Sequence, residues 1–199
     1  MPSAKLPIST RKTFRDGKLA HFFRVAFRDF LRVGTLFPSS RWTGRTIAKQ
    51  IPKGATCVVE YGPGNGAVTR HLIEHVPFDG RVIGVELNPA FIRSLSAISD
   101  RRFQVVQGNV TEWSARLKEW QVQGVDAVIC GIPFTFLSSP EREAIVKNTA
   151  EGLRPGGRMI LYQKTLLMKP VMAKYFSSVS AFLEPRNIFP YFIMVATKA

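Results

Sequence analysis

The chain has 199 residues, 45% of them hydrophobic, with 28 Lys+Arg against 14 Asp+Glu and a formal net charge of +14. That length and apolar content suit one globular domain with its own core, and they argue against a disordered chain. The two cysteines, Cys57 and Cys130, stand far apart in separate apolar runs, so they read as buried free thiols of a reducing compartment. Nothing approaches the run of about 18 apolar residues that crosses a bilayer, and no secretory signal is evident near Met1. The charge is uneven. Residues 1–53 hold 12 Lys/Arg and 2 acids, whereas residues 54–199 hold 16 and 12. This asymmetry divides the chain into a basic leader with a cap, residues 1–53, and a main domain, residues 54–199. It also points to an anionic partner for the leader, either nucleic acid or an anionic membrane surface.

Residues 1–15 lack periodicity and read as an arm. From Asp16 the pattern becomes helical. Leu19, Phe22, Phe23, Ala26, Phe27 and Phe30 recur at steps of three and four, while Arg24, Arg28 and Arg32 share another face. Asp16 suits an N-cap and Gly34 a stop, which predicts a basic amphipathic helix over residues 16–33. Such a helix either packs its rings on the domain or lies in a membrane interface with its arginines on phosphates. A Pro/Ser/Gly loop, TLFPSSRWTGRT from Thr35, leads into a helix over about 43–50. Ser39 and Ser40 in that loop are placed to cap the helix or touch a ligand.

The main domain opens on CVVEYGPGNGAVTRHL, Cys57 to Leu72. An apolar strand ends in Glu60 and Tyr61, a glycine-rich turn follows, and a helix is predicted from Ala67. Gly62, Gly64 and Gly66 let a ligand approach the backbone, as in the first βα unit of a doubly wound domain. Strands are then predicted over 81–87, 103–106, 125–130 and 158–163. Helices are predicted over 89–98, 111–120, 140–153 and 168–176, with Asn88 capping and Pro89 in the first turn of the first of these. Two further strand-like runs, 178–186 and 191–197, close the sequence. The alternation predicts a Rossmann-like α/β domain: a mostly parallel sheet with helices on both faces and a final antiparallel strand.

No phosphate-binding lysine motif is present, and Glu60 beside the turn would repel a pyrophosphate. It suits a cationic ligand bearing an amino-acid group. Glu86 ends the second strand 20 residues after Gly66, where an acid takes ribose hydroxyls. His71 and His75 lie four apart, but no third ligand is apparent and no metal is expected.

These motifs together resemble the class I S-adenosylmethionine-dependent methyltransferases, over roughly Arg41 to Ala199. The matching pieces are VVEYGPGNGAVT, GVELN, QGNV, DAVICGIPF and LRPGGRMIL. The resemblance implies seven strands in the order 3-2-1-4-5-7-6 with the seventh antiparallel, and S-adenosyl-L-methionine as cofactor. Its contacts would come from Ser39, Ser40, Glu60, Gly62, Gly64, Gly66, Glu86, Leu87, Asn109, Val110 and Gly131. Asn109 stands where many relatives have Asp, keeping an acceptor for the adenine amino group without its charge. Tyr61, Ile132 and Tyr162, near the ends of strands, would orient the methyl acceptor.

Two subfamilies are similar to the chain. Bacterial phospholipid N-methyltransferases share the basic leader, PSSR, EYGPGNGAVT, ELNPAF, G-I-P, LRPGGR and N-x-x-P before the last strand. That likeness implies stepwise methylation of phosphatidylethanolamine to phosphatidylcholine at a membrane surface, and a cytoplasmic, peripherally membrane-associated monomer is expected. Phe22, Phe23, Arg24, Phe27, Arg28, Phe30 and Arg32 would then contact the membrane. The rRNA adenine dimethyltransferases share the glycine turn but carry N-[IL]-P-[YF], whereas Gly131 here offers no side-chain acceptor. Nor does any segment after residue 197 correspond to their basic helical domain. Methylation of a small soluble amine, or cofactor binding without transfer, is also open at this level.

Overall fold

The computed structural model describes residues 41–199, apart from Glu112, Ala115, Arg116, Lys118, Gln121, Gln123 and Ile188. The expected leader helix, with Phe22, Phe23, Arg24, Phe27, Arg28, Phe30 and Arg32, lies outside the described residues, as do Ser39 and Ser40. The described chain runs α1 (Arg41–Ala48), β1 (Cys57–Tyr61), α2 (Thr69–His75), β2 (Arg81–Glu86), α3 (Pro89–Leu95) and β3 (Phe103–Gln107). It continues through β4 (Val125–Cys130), α4 (Ser139–Gly152), β5 (Leu153–Gln163), α5 (Lys169–Met172), β6 (Ser178–Glu184) and β7 (Tyr191–Thr197).

The strands form one seven-stranded sheet in the order β3-β2-β1-β4-β5-β7-β6. β1 to β5 pair in parallel, and β7 runs antiparallel to both β5 and β6. Both the order and the reversed seventh strand match the sequence expectation.

Central strands covered on both faces read as unbroken apolar runs, and β1 is buried at every residue. The alternation of side chains still sorts them into two cores. Val59, Tyr61, Val128, Cys130, Met159 and Leu161 face one side with Trp113 and with Ile145 and Val146 of α4. Val58, Ala127, Ile129 and Ile160 face the other side, under Ile47 of α1 and Leu72 of α2. α1 and α2 approach closely where Gly44 meets the His71 ring; any Cβ there would collide with it. His71 is therefore a packing residue. Among the described residues no His/Cys/Asp/Glu cluster could hold a metal.

Local chemistry fixes the helix starts. Asn88 Oδ1 accepts the Ala90 N–H at 2.9 Å, with Pro89 in the first turn. Ser138 donates both its N–H and its hydroxyl to Glu141, at 2.8 and 2.7 Å, and so anchors α4.

The structure moves several boundaries. α2 starts at Thr69, two residues later than expected, and the Ala67 N–H ahead of it is taken by Asn65 Oδ1 at 3.1 Å in a local turn. The described residues of 111–120 form turns rather than the expected α-helix, with the Leu117 N–H reaching Ser114 O, three residues back. β5 begins at Leu153, not Arg158. Leu153 pairs with Val125 before a register shift to Ala127↔Arg158, so the LRPGG segment is an irregularity inside the sheet with Gly156 at φ 74°. α5 shrinks to one turn.

Candidate active site

The order of the sheet reverses between β1 and β4, so a crevice opens between their carboxyl ends. The β1 turn lines one wall. Gly64 has φ 57°, and a Cβ built on it would meet nothing within 4 Å. Backbone is thus presented to open space. Gly62, by contrast, sits where a Cβ would stand 2.9 Å from Ile132 Cγ2, which brings the β1 and β4 turns into direct contact.

Two buried acids flank this turn. Glu60 is 1% exposed; its Oε2 accepts the Thr69 hydroxyl at 2.7 Å, while Oε1 has no partner. Burial pushes its carboxyl up to about 7; the Thr69 bond opposes this and the Glu86 charge adds to it. Glu86, at the end of β2, accepts the N–H groups of Leu87 and Asn88 on Oε1, each at 2.8 Å, and that of Gly64 on Oε2 at 3.2 Å. Burial raises this carboxyl too, against the lowering effect of its three N–H bonds. A carboxylate oxygen has two lone pairs, so Glu86 Oε2 keeps acceptor capacity toward a ligand. An orphan buried acceptor and a second acid across a glycine turn form a donor-hungry, cation-favouring pocket.

At the end of β3, Asn109 turns its Oδ1 to the Thr111 N–H at 3.0 Å, closing a local turn. One lone pair of the acceptor expected for adenine is thus used within the chain. Val110 is buried in the core and Leu87 packs against it, so each can offer a ligand little beyond backbone.

The tyrosines separate. Tyr61, expected to orient the acceptor, is a core residue instead. It is fully buried, its ring meets Trp113 edge-on at 5.8 Å, and its hydroxyl lies 2.9 Å from Thr149 Oγ1. Because the Thr149 proton goes to Ile145 O, Tyr61 is the donor in that bond and has no proton left for a substrate. Tyr162 leaves β5 on the same face as Glu60. Its ring stands at 89° to Tyr191, and its hydroxyl fills the space that any side chain at Gly131 would need. Burial holds this phenol well above its ordinary range, with Glu60 contributing, so it stays a neutral hydrogen-bonding group.

Gln163 was not picked out by motif. Its Nε2 donates to the Ile132 carbonyl at 2.8 Å, and its Oε1 is buried without a partner. The only sequence signal is a polar residue closing an otherwise apolar strand. Gly131, Ile132, Tyr162 and Gln163 thus come together at the ends of β4 and β5.

Residues 58–157 match the family model described as a methyltransferase domain. The chain belongs to the class I S-adenosylmethionine-dependent methyltransferases. Its cofactor is S-adenosyl-L-methionine. The methyltransferase is 29% identical over 173 residues to an ornithine lipid N-methyltransferase of Singulisphaera acidiphila, covering 85% of this chain and 90% of that protein. Its fold is similar to that of a precorrin-6y C5,15-methyltransferase from Geobacter metallireducens, with a TM-score of 0.60, 16% identity, and coverage of 83% and 95%. It is also similar to Aeropyrum pernix fibrillarin in complex with S-adenosyl-L-methionine, with a TM-score of 0.58, 16% identity, and coverage of 78% and 76%. A sulfonium bearing an ammonium and a ribose diol suits the two acids and the open glycine turn. No described helix of the methyltransferase is long and apolar enough to cross a membrane.

Proposed function

We propose that this methyltransferase transfers methyl groups to the primary amine of a membrane lipid, converting phosphatidylethanolamine and its methylated intermediates to phosphatidylcholine. The similarity to a lipid N-methyltransferase over 85% of this chain and 90% of that protein carries the reading. The site chemistry supports it. Gly131 offers no side-chain amide for a planar adenine amine, and the Tyr162 hydroxyl occupies that room.

The bound cofactor supplies an electrophilic methyl group on a sulfonium. Glu86 would hold the ribose diol and Glu60 the cationic end, with the Gly62–Gly66 backbone between them and Asn109 and Val110 toward the adenine. Both carboxylates gain from a cation, because their buried charge is otherwise uncompensated. The lipid ammonium loses its proton before attack, since only a free lone pair can displace the thioether. Each methyl that the cofactor would supply to the amine nitrogen releases one proton overall. Tyr162 and the Ile132 carbonyl, fixed by Gln163, orient the amine in line. None of these groups needs to act as a base during the displacement.

The leader completes the reading as a peripheral membrane anchor, with Phe22, Phe23, Phe27 and Phe30 in the interface and Arg24, Arg28 and Arg32 on anionic lipid. Vesicle binding by Phe23→Asp and by Arg24→Glu/Arg28→Glu tests this: both are expected to weaken it, the charge variant most at low salt. The acceptor is tested by mass analysis after incubation with mixed vesicles of phosphatidylethanolamine and ornithine lipid. Methylated phosphatidylethanolamine is expected; methylation confined to ornithine lipid would reassign the headgroup.

A further inference from the structure

The carboxyl edge of the sheet divides at the β1/β4 boundary. The cofactor half, at β1 and β2, carries Glu60 and Glu86. The other half is apolar and basic. Phe136 follows β4, Leu166 and Leu167 follow β5, and Phe189 lies between β6 and β7; they are 46%, 39%, 39% and 48% exposed. Gln163 pairs with Phe192 and Glu184 with Tyr191, so the β6–β7 connection stands at the same edge as the end of β5. Lys164 ties the two connections together, its Nζ 4.4 Å from the centre of the Phe189 ring. Lys164 is exposed here. Of the nearby acids, Glu184 is buried against Arg186 and Thr46, and Glu141 is bound to Ser138.

We propose that this rim is a membrane-docking surface in addition to the leader, which seats the mouth of the acceptor site on the bilayer. The inference rests on the lipid-amine reading. A headgroup can reach Gly131 and Tyr162 while its acyl chains stay in the bilayer only if the edge around them meets the membrane surface. That edge carries what an interface selects: Leu and Phe side chains to enter the acyl boundary, and the Lys164 ammonium at phosphate level.

The test compares the full chain with Leu166→Ser/Leu167→Ser and with Phe189→Ser, none of which touches the cofactor pocket. Vesicles of phosphatidylethanolamine and phosphatidylglycerol measure partitioning and transfer; short-chain, monomeric phosphatidylethanolamine measures chemistry without a bilayer. The double variant is expected to lose about tenfold or more in vesicle partitioning, from the transfer free energy of two leucines. Vesicle transfer should fall in parallel, while transfer to the short-chain lipid and cofactor binding stay at wild-type levels. Wild-type partitioning in both variants would overturn the docking surface. Failure of the lipid reading looks different: wild-type protein would then methylate neither lipid form.

A direct probe decides the contact whatever the acceptor proves to be. Cys57 and Cys130 are buried, with the Cys57 thiol pushed up to about 11 by burial, so a surface cysteine labels selectively. An environment-sensitive label on Leu166→Cys is expected to be quenched by brominated acyl chains. No quenching on vesicles that bind the protein would overturn the proposal.

Discussion

Glu60→Gln isolates the cost of keeping an acid ready for a cationic ligand. The native carboxyl titrates at about 7 against an ordinary 4.5. A raised acid favours its protonated form in the folded state. Its contribution is therefore fully present below pH 4.5 and is lost as pH rises through 7. At about 1.36 kcal/mol per pH unit, that window corresponds to about 3 kcal/mol. The group is 1% exposed, so solvent screening does not reduce the figure much. Glutamine keeps the Thr69 hydrogen bond and cannot ionise. Chemical denaturation of the cofactor-free protein between pH 4.5 and 8 should show the wild type losing about 3 kcal/mol relative to Glu60→Gln. Cofactor affinity should move the other way in the wild type, rising with pH through about 7 as the carboxylate forms, and should be nearly flat in the variant. Parallel stability profiles for the two proteins would refute the account of Glu60.

Three further outcomes follow from the same geometry. Glu86→Ala should weaken cofactor binding by about tenfold or more, the scale of a lost charged hydrogen bond, with the fold intact by circular dichroism. Gly131→Ala should destabilise by about 1–3 kcal/mol through collision with the Tyr162 hydroxyl, and adding Tyr162→Phe should recover part of it, both read by thermal unfolding. Gln163→Leu removes the bond that fixes the Ile132 carbonyl, so acceptor KM should rise or kcat fall while cofactor affinity stays unchanged.

Much of the fold was legible because its central strands are short apolar runs closed by turn residues. β4 and β7 fall on the expected residues, and the strand order is the one that the family resemblance implies. The acids were legible because they interrupt apolar runs at strand ends. Tyr61 and Tyr162 look equivalent in sequence, each near the carboxyl end of a strand, yet they leave the sheet on opposite faces. In strands buried on both faces no polar alternation reveals the parity, so one tyrosine is core and the other reaches the crevice. Trp113, Leu117 and Trp120 have helical spacing, but the described residues of that segment form turns, with both indoles buried. LRPGG reads as a loop, whereas pairing with β4 draws it into the sheet.

The central claim is methyl transfer to a lipid amine, and one assay addresses it most directly. Radiolabelled S-adenosyl-L-methionine is supplied with phosphatidylethanolamine vesicles in one reaction and unmethylated rRNA in another. Label appearing in mono-, di- and trimethylated lipid, with none in RNA, is the predicted result; label in RNA with none in lipid would contradict it.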